Sequence, residues 1–230
     1  RELAAIHAVP IDMLPQLPET NAESLLAELR ARFVSFGGDR PVMALAFKWL
    51  EDHLPAPVEA VLLHGDFRMG NIMVDANGLA AVLDWELAHL GDRHQDLAFG
   101  CINSWRFGYI DRPAFGIGAL DAFFAAYEGV SGRYVEPERF RWWLVYSTLW
   151  WGVCCLQMAD IWRSGQRTPW EAALFVDGGS VAEKIADLKA RWGVGAGVRY
   201  NSPVGPLQLD LAYGLESKRL RLHLIVGFTF

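Results

Sequence analysis

Hydrophobic and polar residues alternate with two different periods along this chain, and the change of period divides it. In "NAESLLAELRARF" (21–33) apolar positions recur at helical spacing, which predicts an amphipathic helix with Asn21 as N-cap. "PVMALAFKWLEDHL" repeats the pattern over 41–54, with Pro41 suited to a first turn and "PAP" at 55–57 ending it. "AVLL" (60–63) has the length of a short buried strand. "NIMV" and "LAAVLD" read as two further strands around "DANG", whose Asn77-Gly78 pair favours a tight hairpin turn. After Pro113 the helical period returns and predicts helices near 114–129, 137–164 and 170–191, with Gly178-Gly179 a break in the last. Beyond Trp192 the period falls to two. Leu207, Leu209, Leu211, Tyr213 and Leu215 share one strand face; Leu220, Leu222, Leu224, Val226, Phe228 and Phe230 share another; "VGAGVRY" alternates more weakly. Three antiparallel strands joined by "NSPVG" and "ESK" follow, with a boundary at about residue 192.

A length of 230 residues suits one domain or two small ones and can bury a sizeable core. Apolar residues at 52% and charged residues at 21% exclude a disordered chain. The net charge of −6 gives no reason to expect a nucleic-acid partner. Residues 193–230 carry Arg199, Lys218, Arg219 and Arg221 against Asp210 and Glu216, a net of +2, which leaves −8 on residues 1–192. Such an acidic body suits a cationic or metal-bound partner and, equally, plain solubility. Cys101, Cys154 and Cys155 make no disulfide framework and read as buried, reduced thiols. The opening "RELAAIHAVP" has neither an initiator Met nor an apolar leader, so residues 1–192 are expected to be cytoplasmic and to come from inside a longer protein. The most apolar window, Trp142 to Leu156, is 15 residues long. That is short of the ~20 needed to cross a bilayer, so it reads as a buried helix.

The chemistry is concentrated in "HGDFRMGNIMVD" (64–75) and "AVLDWE" (81–86). Phosphoryl transfer needs a carboxylate to orient and deprotonate the acceptor hydroxyl, and oxygen ligands to hold Mg²⁺ on the phosphates. Asp66 and Asn71 stand five residues apart on one loop, and a hairpin then returns the chain to Asp84. That spacing suits a base and two metal ligands. Arg68 could touch phosphate or form a surface ion pair, and Glu86 could join a metal shell through water. His89 and His94 have no metal-ligand spacing and are expected to face solvent. The aromatic group of Trp142, Trp143, Tyr146, Trp150 and Trp151 could cage a quaternary ammonium, although its helical spacing favours a core.

The pattern "HGDxxxxN…DWE" resembles the kinase catalytic loop followed by its metal-binding triplet. It is most similar to the aminoglycoside phosphotransferase and choline kinase family. The resemblance runs over about residues 1–192, through "AHLGDRHQDLAFG" and "SWRFG", and is strongest to bacterial phosphotransferases found alongside acyl-CoA dehydrogenases. It implies an α+β fold: a protein-kinase-like large lobe, mainly helical with a small β-hairpin, followed by an antiparallel β segment. It further implies ATP and Mg²⁺ as cofactors and a small-molecule hydroxyl acceptor as partner. Asp66 would be the catalytic base, and Asn71 and Asp84 the metal ligands. His64 and Arg68 fall on the cofactor-binding side, His64 as a brace of the loop, and Asp96 would be structural. A kinase of this shape also needs a phosphate-covering loop and a strand lysine. No Gly-rich loop precedes the motif, and the only earlier lysine is Lys48, in a predicted helix. This polypeptide alone is therefore expected to have lost most or all transfer activity.

The tail, "GVRYNSPVGPLQLDLAYGL…LHLIVGFTF", resembles the last strands of the outer-membrane barrel-assembly family, terminal aromatic included. An ordinary soluble hairpin is the alternative. Three strands cannot close a barrel, so contact with a membrane would run through this tail alone, and open edges predict self-association. The competing readings are thus a truncated phosphotransferase, a non-catalytic chimera of unrelated pieces, and an outer-membrane segment with a passenger lobe.

Overall fold

Asn21 caps its helix as the pattern predicts. Its side chain accepts a hydrogen bond from the Ser24 N–H at 2.8 Å, and Ser24 Oγ accepts from the Asn21 N–H at 3.2 Å. This reciprocal pair satisfies two backbone donors at the start of α2 (Ala22–Ser35). The structure is a computed structural model and describes residues 1–76, 78–164, 170–179, 191–202, 205–215 and 218–226. A short α1 (Glu2–Ile6) precedes α2, and α3 (Pro41–Asp52) follows with Pro41 in its first turn. Phe33 of α2 packs on Phe47 of α3 with ring centroids 5.2 Å apart.

The next segment is built from small antiparallel pairs. β1 (Val61–Leu63) pairs with β4 (His89–Gly91), and β2 (Ile72–Asp75) with β3 (Gly78–Val82). The two β2–β3 ends meet at Asp75 and Gly78, where the turn was expected; Asn77 lies outside the described residues. α4 (Arg93–Phe99) follows, capped by the Asp92 side chain, and carries no helical period long enough to have been read in advance.

α5 spans Leu120–Ser131 rather than starting at 114. Ala114 bridges to Gly118, and Phe115 and Gly116 take left-handed φ values of 56° and 75°, so the helix begins only after that tight turn. α6 (Pro137–Arg163) is the long aromatic helix. Trp142 and Trp143 are fully buried, and their indole N–H groups donate to Leu50 O at 3.0 Å and to Asp92 Oδ2 at 2.8 Å. Tyr146 stacks on Trp142, and Phe99, Ile102 and Trp105 pack with Trp150 and Trp151. The Trp group is core. Cys101 and Cys154 are buried as expected, but Cys155 is exposed. Burial pushes the Cys101 thiol up to about 12, which makes it an inert, protonated side chain.

The chain divides into two compact units between Val153 and Cys154, inside α6, whereas the change of period put a boundary near 192. In the second unit the helix expected over 170–191 is corrected. Trp170–Gly179 is strand β5, paired along its whole length with β6 (Arg191–Ser202); residues 180–190 lie outside the described residues. "WEAALFVDGG" alternates with period two as well as containing helix formers, and pairing to a neighbouring strand decides between them. β7 (Gly205–Gly214) and β8 (Arg219–Val226) complete a four-stranded antiparallel sheet in the order β5-β6-β7-β8. Its last three strands are those the sequence pattern predicts; Phe228 and Phe230 lie outside the described residues. Among the described residues, no helix is long and apolar enough to cross a membrane.

Candidate active site

The loop from His64 to Asn71 leaves β1 and is held from below by a buried carboxylate. Asp96, on α4 and fully buried, accepts hydrogen bonds from the backbone N–H groups of His64 (2.7 Å) and Gly65 (2.9 Å) and contacts His7 Nε2 at 3.3 Å. Burial alone would push this carboxyl up; the His7 contact and the two backbone donors outweigh it and hold it below the ordinary range. His7 in turn meets Tyr127 OH at 2.9 Å, so α1 and α5 brace the same anchor.

His64 is fully buried with both ring nitrogens engaged. Its Nε2–H donates to Leu83 O at 2.8 Å, and Nδ1 accepts from the Asp66 N–H at 3.2 Å, which selects one neutral tautomer. These two bonds give His64 the position of a brace within the loop. It is enclosed by protein, and its work is to tie the loop to the end of β3. Gly65 takes φ +84°, and a Cβ there would lie 2.3 Å from Leu87 O, so the loop passes too close to the following segment for any side chain.

Asp66 is 5% exposed. Asn71 Nδ2 donates to its Oδ2 at 2.6 Å and to its backbone O at 2.9 Å. Arg68 Nε donates to Oδ1 and Oδ2 at 3.0 and 3.2 Å, and the guanidinium lies over the Trp105 ring, 4.9 Å from its centroid. Burial raises the Asp66 carboxyl above its usual value, against the lowering effect of Arg68 and Asn71. A carboxylate of this kind is aimed, partly shielded from water, and more basic than a surface aspartate.

Asn71 immediately precedes β2, and the hairpin brings the chain back beside it. Leu83 N–H donates to Asn71 O at 2.8 Å while Leu83 O accepts from His64. Asp84 is the next residue. It is exposed and takes a left-handed φ of 67°, a conformation that aspartate tolerates better than most residues. Asp66 and Asn71 are in direct contact, and Asp84 directly follows Leu83, whose backbone bonds to Asn71 and to the His64 ring. Because Asn71 Nδ2 is committed to Asp66, its Oδ1 is the atom left for another partner. Among the described residues, no three His, Cys, Asp or Glu side chains cluster as a metal site of their own. The oxygen donors present fit a hard cation such as Mg²⁺, which takes one or two carboxylates and completes its shell with water and phosphate oxygens.

Residues 1–143 match the family model of the phosphotransferase enzyme family. The chain belongs to that family. Residues 155–230 match a second model, the Omp85 superfamily domain. Among curated proteins, mouse acyl-CoA dehydrogenase family member 10 is 42% identical over 64 residues, which is 27% of this chain and 6% of that protein. Human acyl-CoA dehydrogenase family member 11 is 32% identical over 116 residues, 42% of this chain and 15% of that protein. The chain therefore spans only a small part of these relatives. A crystal structure from Ralstonia eutropha described as an aminoglycoside phosphotransferase superposes with a TM-score of 0.59 at 23% identity, over 72% of this chain and 55% of that one. The phosphotransferase fold is thereby shown, a kinase-like arrangement of helices and small antiparallel sheets.

Two histidines depart from expectation. His89 is half-buried, with Nδ1 2.8 Å from Leu87 O. His94 is fully buried: Nδ1–H donates to Asp92 Oδ1 at 2.8 Å and Nε2 accepts from the Glu136 N–H at 3.2 Å. Asp92 also accepts from Arg139 Nη1 at 2.9 Å and from Trp143. Burial would raise the Asp92 carboxyl, but the His94 bonds and the Trp143 donor hold it far below the ordinary range. The network needed His94 and Arg139, 45 positions apart in the sequence, to meet. Spacing along the chain carries no sign of that.

Proposed function

We propose that residues 1–163 carry the acceptor- and metal-binding half of an ATP-dependent small-molecule kinase. Asp66 orients the acceptor hydroxyl and takes its proton as the oxygen attacks the γ-phosphorus and the bond to the ADP oxygen breaks. Asn71 Oδ1 and the Asp84 carboxylate would hold a divalent cation. When bound, Mg²⁺ would neutralise the charge that develops on the phosphate oxygens. Arg68 orients Asp66 and favours its ionised form, and its charge is available to a phosphate beside that carboxylate. The observation that carries this reading is the buried Asp66 carboxylate gripped by Asn71 Nδ2 at 2.6 Å, one backbone bond away from the Leu83–Asp84 return.

A lysine that pairs with the phosphates is part of this chemistry. Lys48, the only lysine before the motif, sits on α3 and bonds to Asp52 at 2.9 Å. The 230-residue chain by itself is accordingly expected to transfer phosphate at a small fraction of an ordinary rate. The test is Mg²⁺-dependent ATP consumption with a panel of alcohols, for the chain and for Asp66→Asn. A faint turnover cut at least a hundredfold by Asp66→Asn supports the reading. A residual rate indifferent to Asp66→Asn overturns the base, and an ordinary rate of about 1–10³ s⁻¹ overturns the incompleteness.

A second reading concerns residues 170–226 and is favoured by the strand register. That register lines up Val198, Leu209 and Leu224 in one row and Ala196, Leu211 and Leu222 in the next. Val198, Leu209, Leu211, Tyr213 and Leu220 are each at least 39% exposed. An apolar sheet face of this kind suits a stretch of membrane-barrel wall. Detergent-dependent solubility that disappears when the chain is cut after Arg163 supports it, and a monodisperse full chain in plain buffer contradicts it.

A further inference from the structure

A cavity of about 160 Å³ opens in the first unit directly beside the catalytic loop, with Gly65 in its wall. Gly65 precedes Asp66, so this wall lies one peptide unit, roughly 3.8 Å between Cα atoms, from the proposed base. Phe99 and Trp150 supply an aromatic surface, and His89 and Gln95, 3.4 Å apart, supply polar atoms. Ser147, from the middle of α6, lines the same space. It is 1% exposed, and its Oγ has no hydrogen-bond partner among the described residues. A hydroxyl enclosed in that way costs free energy unless something satisfies it. Among the described residues, no acidic side chain lines the cavity.

We propose that this cavity is the acceptor subsite and that its occupant is a compact, uncharged, largely apolar alcohol, with Ser147 Oγ as the hydrogen-bond partner of a polar atom on that molecule. The proposal rests on the phosphotransferase reading above for the role of the occupant, but the binding site stands on its own geometry. Three features select the class. The volume is close to the about 150 Å³ that holds one benzene ring in a protein core, so a ring-sized group fits. Aromatic walls reward apolar surface and ring stacking. A polycationic amino sugar would need carboxylates where this lining has none, and binding it would strand its charges in a half-enclosed apolar space. The unpaired Ser147 hydroxyl adds discrimination, because a ligand without a complementary polar atom leaves it unsatisfied.

The experiment is calorimetric titration of the full chain with benzyl alcohol and, separately, with kanamycin, for the parent protein and for Ser147→Ala, Ser147→Leu and Asp66→Asn. Benzyl alcohol is expected to bind saturably. Ser147→Ala should weaken it several-fold without loss of folded structure, since it removes a hydroxyl that bonds to nothing. Ser147→Leu fills the space and should weaken it more than tenfold. Asp66→Asn should weaken it less than Ser147→Leu does, since Asp66 only orients the hydroxyl, and kanamycin should give no saturable heat. If Ser147→Leu does not fold, the Ser147→Ala comparison decides alone. Benzyl alcohol binding that is absent, or that is indifferent to both Ser147 variants, overturns the proposal; so does kanamycin binding that Ser147 variants weaken. Binding as expected in a protein whose ATP consumption ignores Asp66 would keep the subsite and discard the phosphotransferase role.

Discussion

Asp96 is the anchor on which the His64–Asn71 loop hangs, and its removal is the sharpest perturbation of the fold. The carboxylate is wholly buried and accepts two consecutive backbone N–H groups, at 2.7 and 2.9 Å, besides touching His7. Asp96→Ala strands both donors, at about 1–3 kcal/mol each, and breaks a buried charged network whose loss typically costs about 3–5 kcal/mol. A central value of about 4 kcal/mol, at roughly 2–4 °C per kcal/mol for a unit of this size, lowers Tm by roughly 8–16 °C. Asp96→Asn keeps one acceptor oxygen and turns an amide toward the other donor, so about half that effect is expected. Near-UV circular dichroism follows the buried Trp142–Trp143 core during heating and reports the first unit.

The pH dependence supplies an independent check. A carboxyl whose folded value is depressed stabilises the protein above its unfolded value, about pH 4, and that contribution is lost as pH falls toward the folded value. The gap between parent and Asp96→Asn should therefore be constant from pH 7 to about 5 and narrow below about 4. A Tm drop of less than about 3 °C for Asp96→Ala, below 1.5 kcal/mol on the same scale, would refute the anchoring role. So would a gap that does not respond to acid.

Two further outcomes follow from the same loop. Arg68→Met removes the charge that lowers the Asp66 carboxyl, so the raised value rises further and the acidic limb of any residual transfer rate moves to higher pH; an unmoved limb, or a carboxyl carbon resonance of Asp66 that titrates as before, argues against the pairing. Gly65→Ala must hold an L-residue at φ +84° with its Cβ 2.3 Å from Leu87 O, so a loss of more than about 2 kcal/mol is expected in denaturant unfolding, and a variant as stable as the parent contradicts the close approach.

Much of the site could be read from the chain because its parts are local. Asp66, Asn71 and Asp84 lie within nineteen positions, and the strands that fold the last back toward the others announce themselves by apolar runs and a turn pair. Pro41 and Asn21 marked helix starts for reasons that act over a single turn. What could not be read depends on distance. His94 looked like a solvent-facing residue because its partners, the Glu136 N–H and the Asp92 carboxylate held by Arg139, are assembled by packing α6 against α4. The resemblance makes His64 a brace of the loop, but nothing local shows that Leu83 and Asp66 are the partners of its two nitrogens. Ser147 reads as an ordinary helix residue until the walls around it close. The strand at Trp170–Gly179 was hidden differently: Glu, Ala and Leu favour a helix locally, and only the partner strand Arg191–Ser202 reverses that preference.

Whether one divalent cation is held jointly by Asn71 and Asp84 next to Asp66 can be measured with Mn²⁺, whose paramagnetic resonance signal is quenched on binding. Titrating the chain with Mn²⁺ should give one saturable site, weakened at least tenfold by Asn71→Ala and by Asp84→Ala; the exposed Asp84 substitution should leave Tm unchanged, whereas Asn71→Ala, which takes a donor from the buried Asp66 carboxylate, should lower it. Binding that both substitutions leave intact, or that needs only one of the two side chains, would mean that the two oxygens do not share an ion.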